Sequence, residues 1–299
     1  MIDICEMLLT AKKDGASDIY LKAGLVPRAR KHGTVIEVPY PALTTDDMLE
    51  CLLKITNAEQ RNMVEEKGEI CFSFECNTKD RYRVTVFKSC GVVSMVFHVV
   101  PALETVLQGM DQQQDYIREL SGMKKGLVLF AGNAGDGRSS SMAAVINEIN
   151  QKSPLHIMTL ENPVEIVHTS AMSIVNQREN GGDFTDPVNA ATGALKEQVD
   201  VLVYDGILDD KLLTKLCQVS RTGMLVLAST YGKSLSEVIG NVTAFYPPEE
   251  KDEVRKNLSE ILQAVVLCEL TEDAGGLCQN WEMISVDARV KNQIRNCIS

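Results

Sequence analysis

The 299-residue sequence has no apolar run approaching the roughly 18 residues of a membrane-spanning helix, so no direct membrane span is expected. Positive charge is in deficit. Against 41 Asp and Glu stand 30 Lys and Arg, leaving −11 at pH 7 and a pI near 5.0. That balance argues against nucleic acid as a main partner, because a phosphate backbone selects basic surfaces. CxxC pairs are missing too. The nine cysteines are scattered and odd in number, Cys71 and Cys76 being the nearest two, and no His–Cys cluster completes a zinc site. All nine read as reduced, mostly buried thiols of a cytosolic protein. The N-terminus, MIDICEMLLTAKKDG, carries acids and lacks a cleavage-site pattern, so it is not expected to be a signal peptide. There is no internal repeat and no low-complexity tail.

What the chain does have is length and 44% hydrophobic residues, enough for two domains with a core each. Residues 1–100 mix short strands (17–21, 28–36 with His32-Gly33 as the turn between partners, 70–74, 81–87, 92–99) with helices near 2–13 and after Thr44 and Asn57. They lack βαβ regularity, which predicts a small α+β domain. Residues 101–122 read as a hinge and an introductory helix, with Gln112–Gln114 in its exposed middle. From 123 to 299 strands alternate with helices, the signature of a doubly wound, mostly parallel sheet. The expected order is strand 127–131, helix 139–150, strand 155–160, turns over 161–186, helix 187–197, strand 200–205, helix 209–221, strand 224–229 and helix 234–242. A long amphipathic helix over 249–267, a hairpin strand 277–286 and a last helix 287–297 follow. Nucleotide is expected between the two domains.

Residues 126–150, GLVLFAGNAGDGRSSSMAAVINEIN, organise the rest. An apolar strand runs into Gly132, Gly135 and Gly137, and Met142, Val145, Ile146 and Ile149 then recur at helical spacing. The phosphate-loop pattern G-x-x-x-x-G-K-[ST] reads here as Gly132, Gly137, Arg138, Ser139, with arginine in place of lysine. Gly135 and Asp136 lie inside the loop and Ser140 follows it. Glycines let several backbone N–H groups face one anion, and the helix N-terminus adds its dipole. Ser139 can hold Mg²⁺. Arg138 keeps the charge but is forked and planar rather than a point charge. Taken alone, the same residues equally make a plain glycine turn between a core strand and a core helix.

Two further strand ends carry acids. Strand 155–160 runs into Glu161-Asn162-Pro163-Val164-Glu165. A carboxylate just past a parallel strand sits where ligands bind, and Glu161 can polarise the water that attacks a γ-phosphate. A solvated loop acid fits as well. Strand 200–205 ends in Asp205, the form of a Walker B segment, from which Asp205 can hold a water of the Mg²⁺ shell. Gly206 stands where a second acid is usual. The block Asn176-Gln177-Arg178-Glu179 reads as a polar surface loop or as a reach across a subunit boundary.

In these residues and in others along the chain, the sequence resembles the PilT-type secretion ATPases over essentially its whole length. Gly15 to Leu21 resembles GASDLHL, Gly126 to Ser141 resembles GLVLVTGPTGSGKST, and Thr159 to Glu165 resembles TIEDPIE. Val175 to Glu179 resembles INQRE, Phe245 to Glu249 the FPPE turn with Gln263 in the helix after it, and Arg289 to Arg295 the terminal AVRNLIR. The resemblance implies a RecA-like P-loop domain after a small PAS-like α+β domain. It implies ATP and Mg²⁺ as cofactors, Glu161 and Glu165 as catalytic acids, and Arg81, Arg83 and Arg178 approaching a neighbouring copy's nucleotide. It also implies a homo-hexamer or a mixed ring with a PilT paralogue, an inner-membrane pilus platform protein as partner, and a cytoplasmic place at the inner face of the membrane.

The departures thin the chemistry. Arg138 replaces the loop lysine, Gly206 the second acid, Thr192 and Lys196 two arginines, and Met224 and Tyr231 the two histidines of GHLVxxTLHT. Two readings follow. One is an ATP-driven motor for type IV pilus retraction or related secretion machinery with reduced turnover. The other is a structural or regulatory ring subunit with little or no hydrolysis. A nucleic-acid motor is disfavoured by charge.

Overall fold

The structure is a computed structural model that describes residues 3–76, 80–206, 208–273 and 276–296. It divides into two compact units, Met1–Ala102 with Pro163–Glu165, and Leu103–Asn162 with Ile166–Ser299.

The first unit holds α1 (Ile4–Lys13), β1 (Asp18–Lys22), β2 (Arg28–Lys31), β3 (Thr34–Glu37), α2 (Thr45–Ile55), α3 (Ala58–Lys67), β4 (Glu69–Glu75), β5 (Arg81–Ser89) and β6 (Val92–Val99). Its helices start where their sequences cap them. Asp3 accepts from the Cys5 and Glu6 amides, and Thr44–Asp47 and Asn57–Gln60 form reciprocal capping boxes. The second box uses Gln60, the third helical position, rather than the nearby Glu59. The strands form an antiparallel sheet in the order β3-β2-β1-β6-β5-β4. Along β5 the period of two buries Tyr82, Val84 and Val86 and puts Arg81 and Arg83 together on the other face.

The second unit opens with α4 (Leu103–Gln108), a 3₁₀ turn (Asp111–Gln113) and α5 (Gln114–Gly122). It continues through β7 (Gly126–Ala131), α6 (Arg138–Lys152), β8 (His156–Glu161), β9 (Ile174–Glu179), α7 (Pro187–Lys196), β10 (Val201–Asp205), α8 (Asp210–Arg221) and β11 (Leu225–Thr230). Then come α9 (Leu235–Ala244), α10 (Lys251–Ile261), β12 (Leu262–Asp273), β13 (Gly276–Ser285) and α11 (Ala288–Asn296). The seven-stranded sheet runs β13-β12-β7-β11-β10-β8-β9. Every neighbouring pair is parallel except β12 with β13. The chain is thus α/β, an antiparallel-sheet domain followed by a mostly parallel one. Parallel packing lines up the carboxyl ends of β7, β11, β10 and β8 on one edge, with Ala131 beside Thr230 and Asp205 beside Glu161. Ligands bind at that edge in open parallel sheets.

Three expectations are corrected. The helix expected over 249–267 ends at Ile261, and Leu262 to Asp273 is a strand that pairs with β7, so Gln263 is strand rather than helix. The polar block 176–179 is strand β9, paired with β8, rather than a loop. Gln113 is buried, 5% exposed, because its side-chain amide donates to the Gln279 carbonyl at 2.7 Å. Of the eight described cysteines, all free, four are buried and Cys90 is exposed. Cys297 lies outside the described residues.

Candidate functional site

The loop between β7 and α6 is shaped by contacts that only glycine permits. Gly135 and Gly137 sit at φ +89° and +78°, the left-handed region. A Cβ on Gly132 would lie 2.7 Å from the Cys268 carbonyl, and one on Gly137 would lie 1.9 Å from Gln279 Oε1. Gly137 is also the N-cap of α6, which carries no side-chain cap. The first-turn amides of a fifteen-residue helix therefore point outward without a side-chain acceptor. Such an N-terminus, behind a glycine turn, is built to receive an anion. Ser139 and Ser140 lie in that first turn, both half-buried.

The floor of the loop comes from β13. Gln279 and Trp281, two apart and so on one face, both reach it. Gln279 Nε2 donates to the Asp136 carbonyl at 2.9 Å. Trp281 Nε1 donates to Ser141 Oγ at 2.8 Å, and that hydroxyl donates to the Gly137 carbonyl at 2.8 Å. Sequence reading missed Gln279, Trp281 and Gln113. The one available signal was that the chain's single tryptophan stands two residues after a glutamine.

Two loop side chains are already engaged. Asp136 Oδ2 accepts from the Asn133 amide at 2.7 Å, so one backbone donor of the loop holds an internal carboxylate. Arg138 Nη1 donates to the Thr230 carbonyl at 2.7 Å, and its guanidinium carbon lies 4.3 Å from the centre of the Tyr231 ring.

Glu161 ends β8, one strand from Asp205. Its Oε1 accepts from Thr159 Oγ1 at 2.5 Å and from Gln177 Nε2 at 3.0 Å. The Gln177 amide can face only one way. Its oxygen accepts from the His168 amide at 2.7 Å, while its nitrogen also donates to the Ile166 carbonyl at 2.9 Å. The strand geometry of β9 thus turns Gln177 of the polar block into a support for Glu161. Arg178, on the same strand, donates to the Asp183 carbonyl at 3.0 Å and lies 5.8 Å from the Phe184 ring centre.

Glu165 clusters with the first unit. There its Oε1 pairs with Arg83 Nη1 at 2.7 Å. Arg81 binds the Glu165 and Val164 carbonyls at 3.1 and 2.9 Å. The two candidate acids therefore have different named partners, Thr159 and Gln177 for Glu161 and the Arg83 guanidinium for Glu165.

His168 is 7% exposed, and its Nδ1 has no partner. Burial pushes its pKa down to about 4. Unfolding restores a value near 6.5, so between these values the unfolded chain binds a proton that the folded chain does not. Stability is therefore complete above about pH 6.5 and is lost as pH falls through the window to about 4, by about 3 kcal/mol at its lower end. Denaturant unfolding of the wild type and of His168→Leu at pH 7.5 and pH 4.5 checks this. The variant loses less stability on acidification, and equal losses would refute the assignment.

A family model described as type II/IV secretion system protein matches residues 2–298. The chain is 34% identical over 275 residues to a type IV pilus retraction ATPase, PilT, of Pseudomonas aeruginosa, covering 92% of this chain and 80% of that one. It is 29% identical over 294 residues to a twitching motility protein of Neisseria gonorrhoeae, covering 98% and 78%. Among solved structures, that of the pilus retraction motor PilT with bound ADP superposes with a TM-score of 0.84 at 30% identity, over 99% of this chain and 87% of that one.

Proposed function

The chain belongs to the family of type II/IV secretion system ATPases, and from that premise we propose that it is an ATP-binding motor subunit coupling slow hydrolysis to type IV pilus retraction or related secretion. The observation that carries this reading is the loop, in which Gly135 and Gly137 sit at positive φ, a Cβ on Gly132 would meet the Cys268 carbonyl, and the helix N-terminus has no side-chain cap, at the edge of the sheet where Glu161 ends β8. Backbone amides between Gly132 and Ser139, apart from that of Asn133, which Asp136 holds, bind phosphate oxygens. Ser139 Oγ and Asp205 are suited to hold Mg²⁺, which neutralises charge on the transferring phosphoryl group when bound. Glu161, steered by Thr159 and Gln177, orients the attacking water and accepts its proton.

Ring assembly, of six copies or with a PilT paralogue, would bring Arg81, Arg83 and Arg178 toward a neighbour's nucleotide. Each would have to exchange a present partner, the 164–165 carbonyls, Glu165 and the Asp183 carbonyl respectively. No helix among the described residues is long and apolar enough to cross a membrane. The place of action proposed is the cytoplasm, at the inner face of the membrane against a pilus platform protein.

A second reading, a ring subunit that hydrolyses little or not at all, is favoured by Asp136 holding a loop amide and by Arg138 lying on Tyr231. Titration with a fluorescent ATP analogue in Mg²⁺, with light scattering of the same samples, tests the proposal. Saturable binding and a nucleotide-responsive oligomer are expected. A strictly monomeric protein without saturable binding would overturn it.

A further inference from the structure

The phosphate-loop pattern places a lysine after its last glycine so that a point charge reaches the β- and γ-phosphates. Here the same position carries a guanidinium that lies elsewhere. Arg138 is the first residue of α6, and β7 and β11 are adjacent, with Ala131 opposite Thr230. The end of β11 is thus one strand spacing from the loop, about 4.8 Å. The guanidinium spans that distance, donates to the Thr230 carbonyl and lies over Tyr231. The platform is fixed from behind. Asn241 Nδ2 donates to the Tyr231 carbonyl at 3.1 Å. The next residue, Gly232 at φ +137°, packs so closely that a Cβ there would lie 2.9 Å from the Val238 amide nitrogen. Tyr231 is itself 45% exposed, so core packing does not account for its ring, whereas the stack on Arg138 does.

We infer that Tyr231 is a positioning residue that holds Arg138 at the end of β11 and thereby weakens nucleotide binding, the two side chains acting as one unit. This rests on the nucleotide-site reading above. The planar fork suits the aromatic face and the carbonyl together, which an ammonium does not match in the same way. For Arg138 to meet phosphate it must leave both contacts. Apparent affinity is then reduced by the fraction of molecules in which it has left. Removing the ring raises that fraction. Removing the guanidinium makes the ring irrelevant.

The test uses the full chain as wild type, Tyr231→Leu, Arg138→Lys and the double variant. Thermal unfolding without nucleotide reads the pair itself. Tyr231→Leu lowers Tm in the arginine background and has a smaller effect in the Arg138→Lys background, and equal effects in both would overturn the pairing. Titration with the fluorescent ATP analogue in Mg²⁺ reads the consequence. Tyr231→Leu tightens Kd about fivefold to tenfold with Arg138 present and less than about twofold in the Arg138→Lys background. Additive effects, or weaker binding by Tyr231→Leu, overturn the inference while leaving the nucleotide site standing. No saturable binding in any of the four proteins overturns the nucleotide-site reading and the affinity consequence with it. The unfolding cycle then decides the pairing alone.

Discussion

On the proposed reading, Glu161→Gln is expected to remove ATP hydrolysis, by at least about a hundredfold, and to leave nucleotide affinity within about twofold. The hydrogen bonds of Glu161 show why the two effects separate. Thr159 Oγ1 and Gln177 Nε2 both donate to Oε1, and an amide oxygen in that position can still accept both bonds, more weakly than the carboxylate does. The substitution therefore preserves the acceptor for these two donors and takes away the negative charge and the capacity to accept a proton. The proposed binding rests on loop amides and the helix terminus, which the change does not touch. Phosphate release under single-turnover conditions gives the first quantity, and titration with the fluorescent analogue gives the second. Hydrolysis within threefold of wild type would remove Glu161 from the mechanism and turn attention to other water-orienting groups.

Gly137→Ala is expected to weaken nucleotide binding by more than about thirtyfold, with a lower Tm. Two effects add. At φ +78° a Cβ meets the following carbonyl, at about 1–2 kcal/mol. The same Cβ would also lie 1.9 Å from Gln279 Oε1 and 2.8 Å from its Cδ. The glutamine must move, and its Nε2 then leaves the Asp136 carbonyl, at about 0.5–1.5 kcal/mol for one net hydrogen bond. Gln279→Ala in the same chain separates the two effects. The double variant recovers the part due to collision and keeps the part due to φ. Wild-type affinity in Gly137→Ala would mean that the loop does not hold phosphate in this conformation.

The parts of the site that could be read from the sequence are those with local patterns. Gly126 to Asn150 shows its strand, turn and helix in consecutive residues, and Glu161 stands one residue past an apolar run. Other parts depend on contacts between distant positions. Gln279 supports the Asp136–Gly137 turn from 143 residues away, and neither residue's neighbours signal it. Strand β9 was hidden because it forms a sheet edge, where polar residues such as Asn176 and Gln177 need no apolar alternation. The end of α10 was hidden for the opposite reason. Leu258, Ile261, Leu262, Val265 and Val266 fit a helical stripe, yet the last three are a buried strand with neighbours on both sides. A continuous apolar run cannot separate these cases by periodicity, and no glycine or proline marks the change.

The contact between Trp281 and Ser141 has an optical consequence. This chain carries one tryptophan, and its indole N–H is two hydrogen bonds from the Gly137 carbonyl. Its ring stands edge-on to Phe130 in the strand that feeds the loop. Excited at wavelengths that its seven tyrosines do not absorb, this protein emits from a single indole beneath the phosphate loop. Any rearrangement of that turn alters the polarity and hydrogen bonding of the indole, giving the unlabelled protein its own reporter of site occupancy.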